Sequence, residues 1–184
     1  VGALGVGPGL SCVVEDLLRD LSKANANWRM AIVRKFNPAG AHSSGMLGEA
    51  PRGRPTHLIP AMCRVAAGES SELVVNGDDW DTADGTGVRD YVHVQDLADG
   101  FVRALKYSLA KPGLVTFNLG SGAATSVLGA IASFERACGR SIPRVTGARR
   151  PGDVAGSCAD SAYAASLLDW HPTRDLDAIC ADAW

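Results

Sequence analysis

Aromatic side chains are scarce in this sequence, 6% of 184 residues, and neither sign of charge prevails: 18 Lys and Arg stand against 20 Asp and Glu. A net charge of −2 provides no basic stripe for a phosphate backbone or an anionic bilayer surface, so the reading is no nucleic-acid partner and no membrane partner. Long apolar runs are missing too; nothing approaches the roughly 18–20 residues that span a bilayer. Val1–Leu10 is apolar and Gly-rich but lacks the basic flank of a signal peptide. The chain does not begin with Met, which suggests a piece of something longer. Paired cysteines are also absent. Cys12, Cys63, Cys138, Cys158 and Cys180 are scattered, form no Cys-x-x-Cys and lack zinc-ligand spacing. Their small or apolar neighbours predict buried, reduced thiols in a cytoplasmic protein with no metal.

What is present is enough apolar residue, 46%, for one real core and most simply one domain. Leu10, Val13, Val14, Leu17, Leu18 and Leu21 recur as one helical face, with Glu15, Asp16, Arg19 and Asp20 turned away. Met30–Val33 is a short continuous apolar run, as in a strand covered on both sides. A helix followed by such a strand is one repeat of a parallel α/β sheet. A Gly/Pro/Ser-rich loop follows to Pro55. Next come a helix over Ile59–Ala67 with Pro60 in its first turn, a strand over Leu73–Val75, and an acidic turn with Asp78, Asp79, Asp81 and Asp84. Ala83 and a missing glutamate break the calcium-loop pattern, which leaves a solvated turn.

Asp84–Gly100 is the stretch around which the rest is arranged. A turn feeds an extended piece (Val88–Val92), then a helix whose Val94, Leu97, Ala98, Phe101, Val102 and Leu105 share the apolar rhythm of one face. Arg89 sits on the stiff extended piece, placed either to meet an anion or to pair with a local carboxylate such as Asp90. Val115, Phe117 and Leu119 alternate as a half-buried strand. Gly120-Ser121-Gly122 then turns into a helix capped by Thr125 or Ser126 and stopped by Gly139. That lone Gly-x-Gly reads as a tight turn sooner than a pyrophosphate loop. Ile142–Val145 reads as a short strand, and two small helices capped by Asp160 and Asp175 close the chain. Arg149 and Arg150, followed by Pro151-Gly152-Asp153, put two guanidinium forks beside a turn, a grouping suited to phosphate oxygens or to a surface ion pair. Tyr107 and Lys111 have Tyr-x-x-x-Lys spacing, but at the end of a helix beside Pro112 they read as an exposed terminus.

The wording of Asp84–Gly100, Phe36-Asn37-Pro38-Ala39-Gly40-Ala41-His42, Ser44–Glu49, Asn118-Leu119-Gly120, Arg149–Asp153 and Trp184 resembles the UDP-glucose 4-epimerases, extended members of the short-chain dehydrogenase/reductase superfamily. The match runs from about Leu10 to the end and covers the C-terminal half of such an enzyme. It implies an α/β fold: the C-terminal part of a Rossmann-like sheet plus a small mixed α/β substrate-binding domain. Residues 1–36 would be the last helix and strand of the nucleotide-binding domain, and residues 37–184 mostly substrate-binding domain with returning elements.

By position, the resemblance implies that Arg89 and Arg150 bind the diphosphate of UDP-glucose or UDP-galactose and Asp153 its ribose. Asn37 and Leu58 line the cleft, and Phe36 abuts the nicotinamide of NAD. His57 stands at a position that touches the sugar nucleotide, and Asn76 replaces an apolar or aromatic residue near the uracil. Ser157 falls at a gatekeeper position, where a small residue implies room for N-acetylated UDP-hexoses. The implied chemistry is hydride removal from C4 of the hexose to NAD and return to the other face, in galactose metabolism. Its base is a tyrosine with a lysine four residues on. Gly7 and Ser11 occupy those two places, and the glycine-rich NAD loop belongs to the other half. The resemblance therefore implies a sugar-nucleotide-binding half that is inactive alone and homodimeric in the full-length form, or else a non-catalytic UDP-sugar-binding module or relic. A nucleotide-sugar dehydratase or decarboxylase fits Asp84–Gly100 less well.

Overall fold

The computed structural model describes residues 8–184, with side chains from Ser11 onward. Helix α1 (Pro8–Ala24) leads into strand β1 (Arg29–Lys35), and β2 (Asn37–Ala39) follows almost at once. After a long loop come α2 (Leu58–Ala66), β3 (Leu73–Asn76), β4 (Val88–His93) and α3 (Val94–Ala110). The chain continues through β5 (Gly113–Leu119), β6 (Ala124–Ser126), α4 (Val127–Cys138) and β7 (Arg144–Gly147), and ends with β8 (Gly156–Ser157), α5 (Ala162–Leu168) and α6 (Leu176–Ala183).

Parallel pairing prevails, in keeping with the α/β class. β1 runs beside β5 in register from Arg29 opposite Gly113 to Lys35 opposite Leu119, and β3 runs beside β7. β4 is the hub of a small mixed sheet: β2 pairs with its C-terminal half, while antiparallel β6 and parallel β8 take its two edges at Val88 and Arg89. Two apolar cores result. In one, α2, α4, α6 and β3 enclose Met62, Phe134, Ile131 and Ile179. In the other, β5, α3 and the segment 164–170 enclose Phe117, Leu119, Leu97 and Trp170, with Ala31 and Val33 of β1 packed against them. Thus β1 shares its core with elements that return some eighty residues later.

Several local expectations shift. β7 starts two residues later than the apolar run suggested, and β6, which carried no apolar signal, forms because β4 offers it an edge. Ser126, not Thr125, caps α4, its Oγ accepting from the Gly129 N–H at 3.0 Å. Helix α5 begins after Ser161, although the Asp160 carboxylate does accept from the Ala162 N–H at 3.0 Å.

The largest correction concerns α1. Its apolar face does not enter the core: Val13 is 60% exposed and Leu17 58%. Glu15 and Arg19 turn inward instead, Asp16 and Asp20 staying exposed, because Arg34 of β1 grips Glu15 with Nε and Nη2 at 2.7 and 2.5 Å while Arg19 holds the same carboxylate. Those guanidinium bonds, Arg34's first, hold Glu15 below the ordinary carboxylate range. Helix α3 is likewise divided, with Leu97 and Ala104 buried while Phe101, Val102 and Leu105 stay exposed. The thiol expectation fails in part as well. All five cysteines are free, but only Cys180 is buried, and Cys12 and Cys158 are exposed.

Candidate functional site

Arg89 owes its place to β4, whose Val88–Asp90 segment is ordered by strands on both edges. Successive strand residues point to opposite faces, so Arg89 and Asp90 cannot pair, and the local ion pair weighed from the sequence is not formed. Asp90 is fully buried. Its carboxylate accepts from the N–H groups of Ser121, Gly122 and Ala159 at 2.7, 2.9 and 2.9 Å and from the Ser121 hydroxyl at 2.6 Å. The backbone donors of the Gly-x-Gly turn are thereby taken by protein, which agrees with a tight turn and leaves them none for a pyrophosphate. Arg89 points the other way: its Nη1 donates to the carbonyls of Val88 and Val154 at 2.9 Å each, and Nη2 lies 3.5 Å from the Asp153 carboxylate.

Asp153 belongs to a tight turn closed by its N–H on the Arg150 carbonyl at 3.2 Å, with Gly152 at φ 82° inside it. The two arginines before this turn part company. Arg149 bonds the carboxylate and carbonyl of Asp79 at 2.7 and 2.6 Å and lies 4.0 Å above the Trp80 ring, which makes it a brace for the 76–85 loop. The Arg149 bonds hold Asp79 below the ordinary carboxylate range. Arg150 instead crosses to the end of β3. Its Nη1 donates to the Thr56 carbonyl at 3.3 Å, and the Asn76 amide end lies 3.2 Å from both Nε and Nη2; because those are donors, the amide oxygen is assigned to that side. Arg89 and Arg150 therefore flank one turn, with Asp153 against the first and Asn76 against the second. Ser157 joins them by register, directly opposite Arg89.

The remaining candidates lie around this group. Leu58 opens α2 and packs partly against the first core; His57 beside it is exposed, its Nδ1 2.7 Å from Glu49. Asn37 donates from Nδ2 to the Asp90 carbonyl at 3.0 Å, a bond that ties β2 to β4. Phe36 sits at the carboxyl end of β1, its N–H on the Leu119 carbonyl at 3.1 Å, and its ring is the third wall, after Ala159 and Asp90, around Gly120, where a side chain has no room. Neighbouring Lys35 is partly buried, which draws its pKa down. Gly7 lies outside the described residues; Ser11 is half-buried in the first turns of α1. Among the described residues no group of three or more His, Cys, Asp or Glu is placed to hold a metal ion.

Residues 12–120 match the NAD dependent epimerase/dehydratase family. The chain belongs to that family. It is similar to the UDP-glucose 4-epimerase of Yersinia pestis, 46% identical over 172 residues that make up 94% of this chain and 51% of that protein. Among solved structures it is similar to UDP-glucose 4-epimerase from Bifidobacterium longum in complex with NAD+ and UDP, with a TM-score of 0.90 and 45% identity over 94% of this chain and 51% of that one. It is also similar to the UDP-Glc/GlcNAc 4-epimerase of Campylobacter jejuni, with a TM-score of 0.72 and 34% identity over 94% of this chain and 52% of that one. This member of the family thus spans about half the length of the curated relatives it matches.

In an NAD dependent family a Tyr-x-x-x-Lys pair invites attention, and here the two side chains do meet: Lys111 Nζ lies 3.4 Å from the Tyr107 hydroxyl and 4.6 Å from its ring centroid. They meet at the end of α3, just before β5 begins at Gly113, whereas Phe36 and Gly120 stand past the carboxyl ends of β1 and β5. Ligands of open parallel sheets collect at the carboxyl ends, so the pair lies at the wrong end of the sheet. Tyr107 packs edge-on against Phe117 instead, its ring 5.6 Å away. What sequence reasoning missed is His93. It is fully buried, takes the Gln95 N–H on Nδ1 at 3.1 Å as the cap of α3, and therefore gives its Nε2–H to Asp182, 3.1 Å away. A histidine directly before the helix was the one available sign of that cap.

Proposed function

We propose that this chain carries the sugar-nucleotide-binding part of a UDP-glucose 4-epimerase, the cytoplasmic interconversion of UDP-glucose and UDP-galactose, and that by itself it does not turn over substrate. The observation that carries this reading is that Arg89 of β4 reaches over to the turn formed by Arg150 and Asp153 beside β8. Two guanidiniums flanking one turn suit two linked phosphates, and the Asp153 carboxylate beside Arg89 can accept from a ribose hydroxyl. Half-buried Ser157 opposite Arg89 supports a pocket with room for an N-acetylated hexose. In this reading residues 1–36 close the nucleotide-binding domain and residues 37–184 form most of the substrate-binding domain. The exposed apolar face of α1 serves the homodimer of the full-length form.

The residues described here do not fit NAD on their own. The Ser121 and Gly122 N–H groups are consumed by Asp90 and that of Gly120 by the Ser161 hydroxyl, and Phe36 alone stands where a nicotinamide ring could rest. No hydride step is assigned to them. Gly7 and Ser11, standing where the tyrosine and lysine are expected, favour a second reading in which the chain is a UDP-sugar-binding module without catalysis.

Titration calorimetry with UDP and with NAD decides between these and a misread site. Weak UDP binding that is lost in Arg89→Ala and Arg150→Ala, with no NAD binding, is the expected result. UDP affinity indifferent to both substitutions would end the assignment. A coupled assay showing 4-epimerase turnover by the chain alone would remove the claim of inactivity.

A further inference from the structure

We propose that Asn76 is a positioning residue: it sets the Arg150 guanidinium in place for a diphosphate before the ligand arrives, and it does so without neutralising it. The proposal rests on the sugar-nucleotide reading for the identity of the ligand, but the clamp itself follows from the two donors that Arg150 turns toward the Asn76 amide. A guanidinium has five N–H donors. Nε–H and one hydrogen of Nη2 go to the Asn76 oxygen, and one hydrogen of Nη1 goes to the Thr56 carbonyl. One hydrogen is left on each terminal nitrogen, the pair that a phosphate oxygen pair accepts in the bidentate mode. An arginine free in water must give up rotamer freedom to be fixed; here part of that ordering is already done.

Asn76 can act this way because its own backbone is held from several sides. It is the last residue of β3, in register with Gly147 of β7, and the next N–H, of Gly77, bonds the Gly147 carbonyl at 2.8 Å. Trp80 Nε1 donates to the Asn76 carbonyl at 3.4 Å. Gly77 is packed so closely that an added Cβ would lie 2.8 Å from both Arg149 Cγ and Trp80 Nε1. The Arg149–Trp80–Asp79 brace therefore fixes the residue that fixes Arg150. Charge explains the choice of an amide. A carboxylate would hold the fork equally well yet offset the positive charge that must meet the anion, as Asp153 does in part for Arg89 at 3.5 Å. An apolar residue would leave the charge intact and the fork loose. Asparagine holds and does not neutralise.

The test uses the full chain and its variants Asn76→Leu, Asn76→Asp and Arg150→Lys. Side-chain proton–nitrogen NMR of arginine, without ligand, should show one slowly exchanging Nε–H signal that disappears in Arg150→Lys. It should broaden or vanish in Asn76→Leu and persist in Asn76→Asp. Calorimetry with UDP and with pyrophosphate should show about tenfold weaker binding in Asn76→Leu, the size of one charge-assisted hydrogen bond. Weakening of at least that much is expected in Asn76→Asp despite the retained signal. A merely structural role would not separate signal from affinity in that way, and circular dichroism checks that each variant is folded. An Arg150 signal indifferent to Asn76→Leu overturns the clamp. A signal lost with UDP affinity unchanged overturns positioning. If neither UDP nor pyrophosphate binds the parent chain, the proposed function falls and takes the clamp's ligand with it, while the NMR result still stands or falls separately.

Discussion

Two buried carboxylates do much of the work of joining distant segments. Asp90 ties β4 to the 120–122 turn and to Ala159; Asp96 ties the first turn of α3 to Thr173 and Arg174, accepting from both N–H groups and the Thr173 hydroxyl at 2.9 Å each and from Arg174 Nη1 at 2.5 Å. Burial pushes Asp96 up, but these donors outweigh it and hold the carboxyl below its ordinary value. The sign follows from linkage. A depressed folded pKa contributes stability in full above the unfolded value, about 3.9, and that contribution is lost as pH falls through the folded one. Asp96→Asn should therefore lower urea stability at pH 7 and make it less steeply dependent on pH below about 4; equal acid slopes in both proteins would contradict the assignment. Thiols give a second readout at this scale. Burial pushes Cys63 up to about 11 and raises Cys180 as well, whereas Cys12 and Cys158 are exposed. Timed alkylation at pH 8 followed by peptide mass mapping should label Cys12 and Cys158 first and Cys180 last.

Among the elements, α3 shows how propensity and packing can disagree. Gly100 lies mid-helix, where replacement by Ala would stabilise an isolated helix by roughly 1 kcal/mol. Here a Cβ would fall 2.6 Å from Leu119 Cδ1 and 2.9 Å from Trp170 Nε1, both in the second core. Overpacking of that kind typically costs about 1–3 kcal/mol, so packing wins. Gly100→Ala should lower the urea midpoint; a raised midpoint would show that α3 can slide off β5 without penalty. Glycine's other role appears at Gly139, whose φ of 66° ends α4 in the left-handed conformation the sequence anticipated.

For the whole molecule the telling feature is what is left uncovered. Among the described residues β1 has a single partner, β5, and its other edge is open. On the α3 side of that strand a groove of about 470 Å³ is lined by Ala31, Val33, Phe101, Val102 and Leu105. Phe101 is 43% exposed, Leu105 58% and Leu109 61%, a contiguous apolar surface next to an unpaired strand edge. Light scattering should detect concentration-dependent association that Val102→Glu combined with Leu105→Glu reduces, with circular dichroism unchanged because both side chains are already exposed. Association untouched by that pair would move the sticky surface elsewhere, the exposed face of α1 being next.

The sequence by itself determined the order of the helices and of strands β1, β3, β4, β5 and β7, though not the short strands β2, β6 and β8, and with it the stops at Gly68 and Gly139, the cap at Asp175 and the family wording of Asp84–Gly100. All of these depend on backbone geometry and neighbours within a few residues. Only the tertiary structure decided which face of α1 turns inward, that Arg89 meets Asp153 and not Asp90, that Arg149 and Arg150 diverge, and that Tyr107 and Lys111 stand at the far end of the sheet. Periodicity shows that a helix has two faces but not which one the remainder of the chain will cover. A charged side chain, likewise, takes its partner from whichever segment the fold brings within 3 or 4 Å, often from sixty or more residues away.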